Sequence, residues 1–465
     1  MSKVYVFGIG GTGSRVLRAV TMLLAAGVEC KASAIVPIII DPDAAAGDVE
    51  RTVELMKKYG EIRSKLSFEG KKNRFFRTDI QQSMTNFRLP LSNTEDVLFD
   101  EYMDVNSMSK ENRSLVNILF SQKNLASDMT VGFKGNPNVG SVVLNQFDDS
   151  AAFLNFTNEF DGQDKIFIIS SIFGGTGASG FPLLLKTLRT SEDIANKNLV
   201  QNAHIGAITV LPYFQVKQDE NSQIDSATFV SKAKSALAYY NRAISNNNAI
   251  DTLYYIADDT RTTYENCEGG TKQKNNAHFI ELMSALALID FANSDKPAQA
   301  VHKEFGIEKD TNEITFENLG KATKSKLRKA MTQFNLFAKY LNENDGFLSQ
   351  PWAKDRAFDR TFFDGDFIRT LENVQREYLA WLSEMTIQQR AFKPFDLHRD
   401  ANRVFDLLKG VTPKKLLTFD SNYDLYNNRL NGTGGDSKSG EKEQQFVELF
   451  YLATQQLVKE KFNIE

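Results

Sequence analysis

Cysteine is almost missing from this chain: Cys30 and Cys267 are the only two in 465 residues. Two thiols cannot make a disulfide framework, so a small stapled scaffold is excluded and a reducing compartment is expected. Histidine is nearly as scarce, at positions 204, 278, 302 and 398 only. Neither the histidines nor the cysteines show the spacing of a metal site. Long apolar runs are also lacking. The longest, AIVPIII (34–40), falls far short of the about 20 residues that cross a bilayer. The opening MSKVYVFGIGG reaches glycine too early for the apolar region of a signal peptide, so a cytoplasmic location is expected. Neither sign of charge dominates: 55 Lys and Arg stand against 59 Asp and Glu. That balance speaks against nucleic acid or an anionic membrane as the main partner. The one basic-aromatic stretch, KKNRFFR (71–77), is short and reads as a solvated loop or helix face.

What is present is an ordinary globular composition, 42% hydrophobic and 25% charged. The length exceeds the about 250–300 residues at which single cores stop growing, so two domains are expected. KVYVFG (3–8) is short and β-rich, and a glycine cluster, GIGGTGS (8–14), follows it. In RVLRAVTMLLAAG, Val16, Val20, Leu23 and Leu24 recur at helical spacing and Gly27 closes the helix. ASAIVPIIIDPD (32–43) is a second buried strand that ends in acids. Strand, turn, helix, strand makes a βαβ unit of the kind that binds nucleotides. Residues 48–130 read as a mostly helical insertion. DKIFIIS and AHIGAITVLPYF (203–214) are further buried strands, and DTLYYIADD (251–259) is another. The segment 275–293 is a long, nearly all-apolar helix.

A second glycine cluster, SSIFGGTGASGF (170–181), again joins a strand to a helix. A helix N-terminus offers free N–H groups and the positive end of its dipole, and glycine lets that backbone approach an anion. Thr176 and Ser179 are expected to add hydroxyl donors. One such loop is also what a plain packing turn looks like. Two at seams of one sheet suit a polyphosphate. No P-loop G-x-x-x-x-G-K-[ST] follows either cluster, and GASGF lacks the last glycine of G-x-S-x-G.

In order and placement these loops resemble the tubulin/FtsZ superfamily of GTP-binding cytoskeletal proteins. The likeness runs over about residues 3–295 apart from the insertion. Its first nucleotide loop is similar to Gly10, Gly11, Thr12, Gly13 and Ser14. Asp41-Pro42-Asp43 is similar to the acidic end of the family's second strand, near phosphates and metal. GFKGNPNVG (132–140), with Gly135 and Asn136, resembles the loop near the γ-phosphate. The signature GGGTG[ST]G is matched by Gly174, Gly175, Thr176, Gly177, Ala178 and Ser179, with Phe173 for the first glycine and Ala178 inserted. The resemblance implies ribose contacts near Asp219 and Glu220, a base contact at Asp258, and a purine-reading Asn276 or Asn275. Asp41 is equally a turn or capping residue in type, and Asn276 equally a helix N-cap.

The fold so implied is α/β, a Rossmann-type nucleotide-binding domain with a parallel sheet and a central helix, followed by a second helix-rich domain. Domain one is expected over 1–293, the second over 294–429, a flexible linker over 430–442 and a last helix over 443–465. Guanine nucleotide with Mg²⁺ is the implied ligand and head-to-tail self-association the implied assembly. The partner of the C-terminal region stays open. Family members carry Asn-x-Asp-x-x-(Asp/Glu) after the central helix, and its acids reach the neighbouring subunit's nucleotide. Here Asn293 and Asp295 match but Ala298 stands for the last acid, with Glu304 a possible substitute. Weak or absent GTP hydrolysis is therefore expected. The alternatives are a ThiF-like or ubiquitin-activating adenylating enzyme, which shares a similar glycine loop and terminal Asp, and a nucleotide-binding scaffold without catalysis. A plain NAD fold fits less well, because Asp41 lies 28 residues past Gly13 (41 − 13) rather than about 20.

Overall fold

The computed structural model describes residues 2–464 except 44, 71, 131, 134, 149, 219–223, 225, 245–248, 260–261, 268, 305–306, 308–309, 345, 400, 416–420 and 434–439. Asp219 and Glu220 thus lie outside the described residues. The main strands are β1 (Lys3–Ile9), β2 (Ala34–Ile40), β3 (Asp79–Ile80), β4 (Lys165–Ser171), β5 (His204–Val210), β6 (Phe214–Val216), β7 (Thr252–Ile256), β8 (Thr262–Tyr264) and β9 (Val301–Glu304). Seven of them form one parallel sheet in the order β3-β2-β1-β4-β5-β7-β9, and β6 pairs with β8 in a separate parallel ribbon. The central strands are buried along both faces, which is why they read as unbroken apolar runs rather than alternating ones.

Helices α1 (Gly10–Ala25), α2 (Gly47–Ser64), α3 (Pro137–Val143), α4 (Gly175–Thr190) and α5 (Phe229–Ala243) follow in the first half. The central helix α6 (Phe279–Asn293) is buried along almost its whole length. A helical region follows, with α7 (Lys321–Glu343), α8 (Asp366–Thr386) and α9 (Lys442–Phe462) as its long members. Their apolar stripes join the sheet's core in one continuous cluster.

Three boundaries differ from the sequence reading. The 48–130 segment is not wholly an insertion: α2 packs on α1, and β3 extends the sheet beside β2. A two-residue strand is too short to leave a periodicity. The central helix begins at Phe279 rather than 275, because His278 caps it and forms a reciprocal capping box with Glu281. The 430–442 segment starts with the end of the helix Asn422–Gly432, and α9 begins at Lys442; 434–439 are outside the described residues.

Candidate functional site

Strand order fixes where a ligand can sit. From β1 the chain steps to β2 and β3 on one side, while β4 and its successors lie on the other. The switch point is therefore between β1 and β4, and the loops leaving these two strands are the two glycine clusters. They touch: a Cβ at Gly10, whose φ of +70° already requires glycine, would stand 3.4 Å from the Thr176 Cβ. Phe133, Gly135 and Asn136 close against the second cluster, so that a Cβ on Gly175 would meet the Asn136 nitrogen at 3.0 Å. Neither α1 nor α4 carries an acid in its first turn, which leaves the helix N-termini electropositive.

The cleft between these loops is lined by Gly10, Gly11, Thr12, Asp41, Asp43 and Gly135, and by 174–177. The remaining expected residues sit elsewhere, for local reasons. Gly13 presses helix on strand, since a Cβ there would reach the Gly8 carbonyl carbon at 2.4 Å. Ser14 and Ser179 are buried, and their hydroxyls donate back to Gly10 and Gly175 carbonyls in their own helices, so neither is a donor to the cleft. Ala178 and Asn136 do not line it; the Asn136 carboxamide oxygen caps α3 instead. Asp258 faces away, in an ion pair of 2.7 Å with Arg390. Asn276 is exposed and outside the lining, while its neighbour Asn275 is part of it.

Several lining groups left no signal as a motif. Gln273, Glu265 and Cys267 come, like Asn275, from the segment between β8 and α6. Asp43 holds that segment by accepting the Gly270 N–H at 2.6 Å, and the Asp48 N–H donates to the Gln273 carbonyl at 2.9 Å. Lys232 on α5 donates to the Gly135 carbonyl at 2.9 Å and brings a cation to the third loop.

Beneath the cradle lies a buried ion network. Arg15, on the turn after the first glycine cluster, donates to Glu281 at 2.6 Å, Asp48 at 3.0 Å and the Tyr213 hydroxyl at 2.9 Å. Asp48 also pairs with Arg51 at 2.6 Å. Glu384 on α8 takes Arg18 in a fork of 2.7 and 2.9 Å and accepts the Ala277 N–H at 2.8 Å. One continuous set of charges thus joins the glycine loop's helix, the central helix and the helical region. Burial drives the His278 imidazole down to about 3, and nearby Arg15 and Arg390 add to that, so the cap is neutral.

The cavity volume of the cleft is about 160 Å³, below the about 300–1,000 Å³ of a typical small-molecule site. Phe173, directly before Gly174, packs on Phe214 and Phe229 at 5.5 and 5.0 Å between ring centres. All three rings line the cleft. No group of three or more His, Cys, Asp or Glu placed to hold a metal occurs among the described residues.

Asp41 is one of the titratable groups that line the cradle. Burial pushes its carboxyl up to about 7; Asp43 and Asp48 add to the rise, while the Asp43 N–H and Arg88 oppose it. An acid whose pKa is higher folded than unfolded (about 3.9) binds more protons in the native state between those values. Its contribution to stability therefore falls as pH rises from about 4 to 7. Asp41→Asn is expected to remove that penalty, gaining stability over wild type at pH 8 but not at pH 4. Urea midpoints measured across this range check it, and a difference that stays flat would show an ordinary carboxyl.

No family model matches the chain, and no curated protein does. Among solved structures, it is similar to CetZ2 from Haloferax volcanii in a GTPγS-bound protofilament, at 13% identity over 63% of this chain and 58% of that one, with a TM-score of 0.30. CetZ1 from the same organism, a GDP-bound monomer, gives 14% identity, 62% and 58% coverage and a TM-score of 0.30. An FtsZ mutant from M. jannaschii gives 14%, 55%, 46% and 0.27. The chain spans 46–58% of the length of these proteins.

The stretch 293–298 is at the other end of the molecule. Asn293 accepts the Lys31 N–H at 2.7 Å, and Lys165, opening β4, donates to the Ala292 carbonyl at 3.0 Å. Lys296 donates to the carbonyl of Asn202, two residues before β5, at 2.9 Å. These are the N-terminal ends of the strands, a central-helix length of about 22 Å from the cradle. Asp295 and Ala298 are exposed there. Glu304 is not their companion: it ends β9 opposite Tyr255, toward the cradle end of the sheet. Among the described residues no helix is long and apolar enough to cross a membrane.

Proposed function

We propose that the chain binds the polyphosphate of a purine nucleotide, GTP or GDP, as a tubulin/FtsZ-like cytoskeletal or switch-like protein. The observation that carries this reading is the meeting of two glycine loops at the switch point of a parallel sheet, with a third loop closing on them. Backbone N–H groups of both helix starts converge there, as an anion site needs. Phe173, Phe214 and Phe229 pack together in the cleft wall, and in this reading that cluster shifts to admit a whole nucleotide. Mg²⁺ would arrive with the nucleotide, its coordination shared by phosphate oxygens and the Asp41 carboxylate.

Head-to-tail association is the assembly this reading implies, since Asp295 stands too far from its own cradle to act there. It would act only on the nucleotide of the next copy, through a heterologous contact. With Ala298 in place of an acid, turnover is expected to be slow: losing one positioned polar group commonly costs about 10²–10³ in rate.

Thermal melts with GTP, GDP, ATP and NAD, each with Mg²⁺, test the ligand. GTP or GDP is expected to raise Tm; a rise with ATP alone would favour an adenylating enzyme, and none at millimolar concentration would refute the reading. Phosphate release against protein concentration tests the chemistry. Slow, concentration-dependent release that Asp295→Ala removes and Ala298→Glu speeds is expected. Fast release that survives Asp295→Ala would mean another acid does the work.

A further inference from the structure

Cavities larger than the cleft lie away from the cradle. Two adjoining hollows of about 530 and 480 Å³ open at the N-terminal ends of the strands, between the α1–β2 turn, the 72–78 segment, α7 and α9. Both fall within the size range of small-molecule sites. Six cations line them, Lys31, Lys72, Arg74, Arg77, Lys326 and Lys329, against one carboxylate, Glu29. A chain of net charge −4 has gathered this positive field into one concavity, where low-dielectric walls focus it.

The packing explains how. In the stretch KKNRFFR, Phe75 and Phe76 are fully buried while Lys72, Arg74 and Arg77 turn to the hollow. Gly27, at φ +81°, lets this segment come close; a Cβ there would stand 2.9 Å from the Arg74 backbone. On α7, Lys326, Lys329 and Gln333 lie at i, i+3 and i+7, one face of the helix. Arg74 pairs with Glu29 at 2.9 Å and Lys326 with Asp290 at 3.0 Å, both on exposed or half-exposed side chains where such pairs are weak.

The decisive group is Gln333. It lines the floor of the larger hollow, is only 3% exposed, and its Nε2 has no hydrogen-bond partner. A buried amide left unmet costs about 1–3 kcal/mol and calls for a partner, and here the partner would come from what occupies the hollow.

We propose that this crevice is a second anion site, distinct from the cradle, for a compact ligand carrying more than one phosphate. The charged part of the lining offers donors, which suits phosphate oxygens, acceptors on every side. An extended acidic peptide would follow the exposed rim and leave Gln333 unmet.

The site is tested with the full chain by calorimetric titration of inorganic tripolyphosphate at low salt. Wild type is expected to bind, and Lys326→Glu with Lys329→Glu to weaken binding at least tenfold without loss of helical circular dichroism. Gln333→Leu is expected to weaken binding severalfold while Tm holds or rises, a pairing that a merely structural glutamine would not give. In the Gly11→Val background, where the cradle is closed to phosphate, tripolyphosphate is still expected to bind and the Lys326→Glu, Lys329→Glu pair to weaken it, which separates this site from the nucleotide reading. The proposal is overturned if wild type does not bind, if the double substitution has no effect, if Gly11→Val abolishes the signal, or if a poly-glutamate peptide displaces tripolyphosphate at lower concentration.

Discussion

Gly11→Val is expected to abolish the nucleotide-dependent rise in Tm while the unliganded protein melts within a few degrees of wild type. Gly11 is the position that separates binding from folding. A Cβ there meets only the Arg15 guanidinium, at 3.5 Å, and its backbone is not in the left-handed region. The other cradle glycines lack this freedom. At Gly177 a Cβ would come within 2.5 Å of the Ser171 carbonyl oxygen, and at Gly175 it would push on Phe133, Gly135 and Asn136. A bulky side chain at either is expected to disturb the fold as well as the ligand. At a hundredfold excess over Kd, ligand stabilises the native state by about 2.7 kcal/mol, so the wild-type shift is several degrees and easily read. A Gly11→Val protein that still shifts like wild type would mean the phosphates do not lie over the first loop.

The second large effect is expected at Arg15. Arg15→Ala leaves Glu281 and Asp48 charged and buried, at 1% and 0% exposure, with their shared cation gone. Removing one partner of such a set costs about 3–5 kcal/mol, enough to bring a marginal protein close to unfolding at 37 °C. Arg15→Lys keeps the charge but not the planar fork, and is expected to cost about 1–3 kcal/mol as one acceptor goes unmet. Urea unfolding of both variants measures this. A loss below about 1 kcal/mol for Arg15→Ala would show that water enters the network and relieves the stranded carboxylates.

The two glycine clusters were legible in the sequence because a strand, a burst of glycine and a helix leave a local signature, and each step is short-range. The meeting of Gly10 with Thr176 follows from strand order alone once β1 and β4 are neighbours. Side-chain direction was not legible. Asp258 ends a strand as a base-contacting residue would, yet its partner is Arg390, 132 residues on (390 − 258). Asn276 looks like a helix start, but His278 and Glu281 together make the better cap. Arg15 and Arg18 sit in an apolar helix where arginine normally snorkels to a surface. Only the folded arrangement reveals that Glu281 and Glu384 hold them inside. The basic crevice was hidden for the same reason, since its cations come from three separate segments and KKNRFFR supplies only part of them.

The helix α9 comes long after the sheet's first strands in the sequence, yet it docks on some of the earliest segments. Tyr451 packs on Phe75 at 5.1 Å, and Phe450 stacks on Phe337 at 4.5 Å. During synthesis, at about 5–20 residues per second, Phe75 would wait some tens of seconds before its cover emerges. A ribosome stalled anywhere between α7 and α9 would hold a chain with a finished sheet and an uncovered aromatic seam. Such a chain is a ready client for chaperones and proteases. Burial of that seam therefore waits on one helix made long after Phe75.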